Sequence, residues 1–159
     1  MIVIINPNST TAMTDAMLAT AKRAAPGLEI EAWTSHDGPA AIEGPEDGAA
    51  CVPPLLELVD KAAESGARVI IIGCSDDTGL AEARDMASCP VIGIGQAAYH
   101  LAALAGLRFS VVTTLPVSIP VLAQNSDILC LSGQLAGVRG WGVPVLALEE
   151  DVEGSARKG

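Results

Sequence analysis

An α/β fold built on parallel sheets is the architecture that this 159-residue sequence predicts. Three observations carry it. Runs of β-branched residues, Ile2-Val3-Ile4-Ile5 and Val69-Ile70-Ile71-Ile72, read as strands, and an unbroken apolar run is the mark of a strand buried on both faces. Ala-rich segments of helical length alternate with the strand candidates, the rhythm of βαβ units with right-handed crossovers. Half of the residues are hydrophobic but only 3% are aromatic. The core must therefore come from Ala, Val, Ile and Leu, which suits parallel strands under Ala-rich helices.

The first strand is expected at Ile2–Asn6, followed by a helix from about Thr10 to Ala25 that Pro26-Gly27 stops. Leu28–Trp33 sets Leu, Ile and Ala against Glu29 and Glu31, the pattern of a strand with one wet face. Ser35–Gly48 contains Gly38, Pro39, Gly44 and Pro45 and reads as a long loop, a length that is often functional. A helix over Val52–Ser65 would hold Pro53 and Pro54 in its first turn, where a missing N–H costs little. Val69–Gly73 is the third strand, a turn at Cys74 follows, and Leu80–Arg84 opens a helix. Pro90–Ile94 is the fourth strand and Ala97–Ala105 a helix ended by Gly106. Phe109–Thr113 is a fifth strand and opens a second sheet. Pro120–Leu129 is weakly helical, Val143–Leu148 is the last strand, and Glu149-Glu150-Asp151 looks like a helix opening.

Composition removes several function classes. A net charge of −10 leaves no basic patch to displace counterions from nucleic acid. It still permits a small anionic substrate in a locally positive pocket. No apolar run approaches the length of a membrane span. Met1-Ile2-Val3-Ile4-Ile5 runs directly into Asn6-Pro7-Asn8 and reads as a strand, not a secretory signal. Cys51, Cys74, Cys89 and Cys130 fit no zinc spacing and are expected as free thiols in a reducing cytoplasm. No Walker A or Gly-x-Gly-x-x-Gly pattern follows a strand, so neither a nucleotide cofactor nor a metal is indicated.

The most informative stretch is Gly73-Cys74-Ser75-Asp76-Asp77-Thr78-Gly79. It places a thiol at the carboxyl end of a parallel strand, where open α/β sheets bind ligands. A following helix N-terminus would favour the thiolate. Asp76 and Asp77 would either tune the thiol or cap that helix, and a carboxylate beside Cys74 would raise its pKa. Asn8 and Ser9, at the end of the first strand, offer side chains and backbone N–H groups to a carboxylate or imide oxygen. Capping by Ser9 or Thr10 competes with that role. Thr113 and Thr114 end the fifth strand with two hydroxyls, which serve either as ligands or as ordinary strand residues. His100, in an Ala/Leu helix, reads as half-buried filler, and His36 as a lid residue with nothing to pair it with Cys74. Cys51, Cys89 and Cys130 lack the strand-to-turn setting and are assigned to packing.

Several motifs in order along the chain resemble the hydantoin and allantoin racemase branch of the aspartate/glutamate racemase superfamily. They are Ile5-Asn6-Pro7-Asn8-Ser9-Thr10, Gly38-Pro39-Ala40-Ala41-Ile42-Glu43, Gly73-Cys74-Ser75-Asp76-Asp77 and Pro90-Val91-Ile92-Gly93-Ile94-Gly95-Gln96-Ala97-Ala98. Val111-Val112-Thr113-Thr114 and Gly142-Val143-Pro144-Val145-Leu146 continue the match. The resemblance implies two similar α/β lobes of parallel strands with a small-molecule substrate between them. It divides this sequence into a first lobe, residues 1–97, and an incomplete second lobe, residues 98–159. It also implies cofactor-independent proton transfer by two cysteines, one from each lobe, with Cys74 the first-lobe member. Cys130, in a helix-to-loop region, does not match the setting of the second.

Three functions follow as expectations. The first is a cofactor-independent racemase of a hydantoin, allantoin or related α-amino-acid derivative. Cys74 is its acid/base, with Asn8, Ser9, Ser75, Asp76, Thr113 and Thr114 around the substrate. The second is a one-base lyase such as a decarboxylase. The third is a non-catalytic binding or oligomerisation module. Unpaired strand edges and apolar surface in the second lobe also lead to an expected homo-oligomer.

Overall fold

β-branched runs form buried parallel strands, as their chemistry demands. The computed structural model describes residues 1–106 and 108–150. Its elements in chain order are β1 (Ile2–Asn6), α1 (Thr11–Ala24), β2 (Ile30–Thr34), α2 (Pro45–Glu64), β3 (Val69–Ile72), α3 (Leu80–Met86) and β4 (Val91–Gly93). They continue with α4 (Ile94–Leu104), β5 (Phe109–Thr113), a 3-10 turn (Pro116–Ser118), α5 (Ile119–Ile128), β6 (Leu135–Gly140) and α6 (Ala147–Glu150). The chain divides into two compact units, one of Met1–Ile42 and Asp47–Gly95, the other of Glu43–Glu46 and the residues from Gln96 on.

The first unit holds a four-stranded sheet in the order β2-β1-β3-β4. Every neighbouring pair is parallel, with Ile5 opposite both Trp33 and Ile72 and Ile72 opposite Gly93. Val3, Ile5, Ile70 and Ile72 are fully buried against Leu55, Val59 and Ala62 of α2. The buried positions of α2, Cys51, Leu55, Val59 and Ala62, recur at four-, four- and three-residue steps and so form one helical stripe.

The second unit holds a two-stranded parallel sheet, β5-β6. Beside it Tyr99 packs on Phe109 with ring centroids 5.5 Å apart, and the Tyr99 hydroxyl donates to the Leu122 carbonyl at 3.2 Å. A buried phenol keeps its polar tip satisfied in this way.

The α/β architecture with parallel sheets is as expected, and several boundaries are corrected. The partner of β5 is Leu135–Gly140, not Val143–Leu148. After β6 the chain turns back at Gly142 (φ 78°), and the Gly142 and Val143 amides both donate to the Thr114 carbonyl. Pro144 has no N–H to extend a ladder, and its carbonyl instead accepts from Ala147 ahead of α6. α2 begins at Pro45, so the expected loop is shorter and Pro53 and Pro54 lie inside the helix. They withhold helical donors from the carbonyls of residues 49 and 50, both exposed positions where water can substitute. β2 starts at Ile30 instead of Leu28, and Ile94-Gly95-Gln96 already belongs to α4. Of the acidic segment at the end, Glu149 and Glu150 lie in α6 and Asp151 lies outside the described residues.

Candidate active site

The turn that follows β1 is built around a buried asparagine. Asn6 is inaccessible to solvent, and its Nδ2 donates to Asn8 Oδ1 (2.9 Å), Thr14 Oγ1 (3.0 Å) and the Thr10 carbonyl (3.2 Å). Asn8 answers through its own N–H to Asn6 Oδ1 at 3.1 Å and accepts from the Thr10 N–H at 3.0 Å. Asn8 Nδ2 points to Met13 Sδ at 3.3 Å. The Asn8 side chain is thus committed to shaping the turn. Ser9, beside it, is half-buried, and its hydroxyl makes no hydrogen bond among the described residues.

The loop from Ser35 on is pinned to this turn. Ser9 N–H donates to the Pro39 carbonyl (2.9 Å) and Thr10 Oγ1 to the Ala40 carbonyl (2.7 Å). Thr10 is the N-cap residue of α1 but makes no side-chain cap bond, because its hydroxyl is used on the loop. Gly38 fits only as glycine, since a Cβ there would stand 2.7 Å from the Pro7 carbonyl oxygen.

β3 delivers Cys74 next to that turn. The Gly73 amide donates to the Ile5 carbonyl at 2.8 Å, continuing the β1–β3 ladder to the residue before the thiol. A Cβ at Gly73 would collide with Met17 Sδ, so the Met17 side chain of α1 lies directly over this glycine. Cys74 is partly accessible, Ser75 exposed and Asp76 buried. Cys74 Sγ lies 3.9 Å from Thr78 Oγ1, and Ser75 Oγ stands 3.5 Å from Asp76 Oδ1.

The electrostatics of the thiol correct one expectation. Burial, and then the charge of Asp76, push the Cys74 pKa above its ordinary value. The amides of Asp76 and Thr78 and the Thr78 hydroxyl work in the opposite direction, but they do not win. α3 starts six residues after Cys74, at Leu80, too far along the turn to supply a thiolate-stabilising terminus. Cys74 is therefore held as the thiol at neutral pH.

Among the expected site residues, the fold gathers Asn8, Ser9, Cys74, Ser75 and Asp76 at the carboxyl ends of the adjacent strands β1 and β3. Thr113 and Thr114 end β5 in the second unit, half-buried, and their hydroxyls make no hydrogen bond among the described residues. His36 is exposed and lines a cleft of about 310 Å³ with Pro54, Glu57 and Lys61; Cys74 is not in its lining. His100 is exposed instead of half-buried. Cys89 packs against the first unit's core as expected. Cys130 does not pack: it is exposed at a left-handed turn (φ 57°).

Cys51 is more than filler. It is fully buried on α2, its Sγ donates to the Gly48 carbonyl at 3.2 Å, and its pKa rises to about 11. Desolvation is the main cause and the charge of Cys74 the next, so the two sulfurs lie near enough to sense each other. Thr78 was also absent from the expected set. The only sequence signal for it is a hydroxyl four residues beyond the thiol. Among the described residues no three His, Cys, Asp or Glu side chains are grouped to hold a metal, and no helix is long and apolar enough to cross a membrane.

The chain is similar to several known proteins. A hydantoin racemase from Rhizobium meliloti is 41% identical over 157 residues, covering 97% of this chain and 64% of that protein. A hydantoin racemase from Pseudomonas sp. (strain NS671) is 36% identical over 151 residues, covering 94% and 61%. The solved allantoin racemase from Klebsiella pneumoniae matches with a TM-score of 0.92 at 37% identity, over 99% of this chain and 64% of that one. The chain thus spans a little under two thirds of the length of these relatives. Residues 2–158 match the profile of Asp/Glu/Hydantoin racemases, and the chain belongs to that family.

Proposed function

We propose that this chain is a cofactor-independent racemase acting on a hydantoin, allantoin or a related α-amino-acid derivative, with Cys74 as one of its acid/base groups. The observation that carries this reading is the partly accessible Cys74 thiol at the β3 terminus, beside the Asn8-Ser9 turn, in a chain 41% identical to a hydantoin racemase. Racemisation breaks the C–H bond of a stereocentre next to a carbonyl and remakes it on the opposite face. As base, Cys74 thiolate takes the proton, its S–H bond forms, and the electron pair moves into the carbonyl to give an enolate. As acid, the same thiol gives its proton to the enolate carbon. Either role has its counterpart on the other face, supplied by a second acid/base group.

The raised pKa of Cys74 favours the donor role at neutral pH, and the Asp76 and Thr78 amides ease the return to thiolate. The free Ser9 hydroxyl and the exposed Ser75 suit the polar edge of an imide or carboxylate. Thr113 and Thr114 are proposed as further substrate ligands from β5. Exposed Leu101, Leu104, Val112 and Ile128 support self-association of the chain, and four free cysteines fit a cytoplasmic setting.

The test is incubation of single enantiomers of a 5-substituted hydantoin and of allantoin with the protein in D2O, against a protein-free control. Loss of optical rotation with deuterium uptake at the stereocentre, faster than the control, is expected. Exchange with retained configuration would mark one-base chemistry, and carbon dioxide release from a carboxylated substrate would mark a lyase. Rates equal to the control would leave a binding or oligomerisation module and overturn the proposal.

A further inference from the structure

The Cys74 turn is held at one end by the β1–β3 ladder, through Gly73. Its other end has a different anchor. Asp77 sits in the left-handed region (φ 53°), where a residue with a Cβ costs roughly 1 kcal/mol over the right-handed one. Its N–H donates to the Cys74 carbonyl at 3.1 Å, and its own carbonyl accepts from Leu80 N–H at 3.1 Å. The residue thus joins two chain reversals, one carrying the thiol and one opening α3.

Its carboxylate leaves the turn altogether. Asp77 Oδ1 accepts from the Gly95 N–H at 3.0 Å. Gly95 is the second residue of α4, so this amide is one of the orphan donors of a helix start, and an anion there is favoured by the helix dipole. Space for the carboxylate exists because two residues lack side chains. A Cβ at Gly93 would fall on Asp77 Oδ1, with Cγ only 2.7 Å away. A Cβ at Gly95 would stand 2.8 Å from Asp77 Oδ2 and collide with the Ser75 carbonyl. Gly93-Ile94-Gly95 is therefore a seat shaped for the Asp77 carboxylate and for the backbone next to Cys74.

We propose that Asp77 is a positioning residue for Cys74: seated on Gly93 and Gly95, it fixes the turn that sets where the sulfur stands. The role rests on the proton-transfer reading of Cys74, but its test does not need substrate. Iodoacetamide alkylation of Cys74, followed by peptide mass spectrometry across pH, reports the exposure and ionisation of that one sulfur. Asp76, on the same turn, is the charged group that raises its pKa, Cys51 on α2 is the titratable group that senses its charge, and neither is altered.

Asp77→Asn keeps a short acceptor and tolerates the left-handed backbone, so its alkylation is expected within about twofold of the parent with an unmoved pH midpoint. Asp77→Gly keeps the backbone freedom but loses the clamp. It is expected to alkylate on the order of tenfold faster at pH 8, with the midpoint moved down as water reaches the sulfur. Should Asp77→Gly lack a cooperative melt, Asp77→Ser, too short to reach Gly95, takes its place with the same expectation. An unmoved midpoint and rate in the clamp-less variant, whatever its melting temperature, would overturn the proposal. So would an Asp77→Asn profile as disturbed as that of Asp77→Gly. A shifted profile without any racemisation would keep the positioning role and sink only the proposed reaction.

Discussion

The two units differ in how completely their sheets are covered. In the first, Ile5, Ile70, Ile72, Leu55 and Val59 have no solvent-accessible surface. In the second, Leu122 is buried at 1%, while Leu104 (84%), Ile128 (69%), Leu101 (68%) and Val112 (68%) stand in solvent. The contrast teaches where stability and site geometry come from. Strands β1 and β3 are locked between helices, so the residues just past their ends inherit a fixed position. Cys74, placed there, follows directly on a residue hydrogen-bonded into the β1–β3 ladder. The β5-β6 pair offers a hydroxyl-bearing strand end on a sheet whose Val112 remains bare.

The largest stability effect should expose that difference. Leu55→Ala is expected to cost roughly 3 kcal/mol in urea unfolding, since it empties a filled site between α2 and the sheet. Leu104→Ala, at an exposed site, is expected within about 0.5 kcal/mol of the parent. Equal costs at the two sites would erase the contrast.

A smaller effect should appear with pH. The folded-state pKa of Cys51 is raised to about 11, above the ordinary thiol value of 9.0. The folded state thus binds the proton more tightly than the unfolded chain does. Stability from this group is complete below pH 9 and falls as pH rises toward about 11. The total loss is at most about 3 kcal/mol. Cys51→Ala should flatten that decline between the two values while leaving the second unit untouched. An unchanged slope would show that the sulfur is not the titrating group.

The smallest expected change concerns the bare surface of the second unit. Leu104→Lys with Val112→Lys should leave the unfolding free energy within about 0.5 kcal/mol. In sedimentation the parent should run as an oligomer and the double variant as a smaller species. A parent that sediments as a monomer would remove the association from the proposed function.

Legibility followed the same division. β1 and β3 were visible because their β-branched runs have no competing signal, and with them came the placement of Cys74, Ser75 and Ser9. β6 was hidden because Gly137, Arg139 and Gly140 interrupt its apolar pattern, whereas Val143-Pro144-Val145-Leu146 imitates a strand. α2 was cut short because Pro53 and Pro54 look like a helix start, although Pro45 holds that place. The state of the Cys74 thiol was legible only in part. The upward push of a neighbouring carboxylate was expected and Asp76 supplies it, but the burial that dominates comes from tertiary packing, which local pattern does not encode. The Asp77 seat was hidden for the same reason, since Gly93 and Gly95 lie sixteen and eighteen residues further along.

Turnover by Cys74→Ser tests the central claim most directly. The hydroxyl is nearly isosteric with the thiol but a far weaker acid and base near neutral pH. The account predicts an unchanged melting temperature and a rate of deuterium exchange at the substrate stereocentre lower by at least about 10²-fold. A folded Cys74→Ser protein exchanging that hydrogen at the parental rate would contradict it.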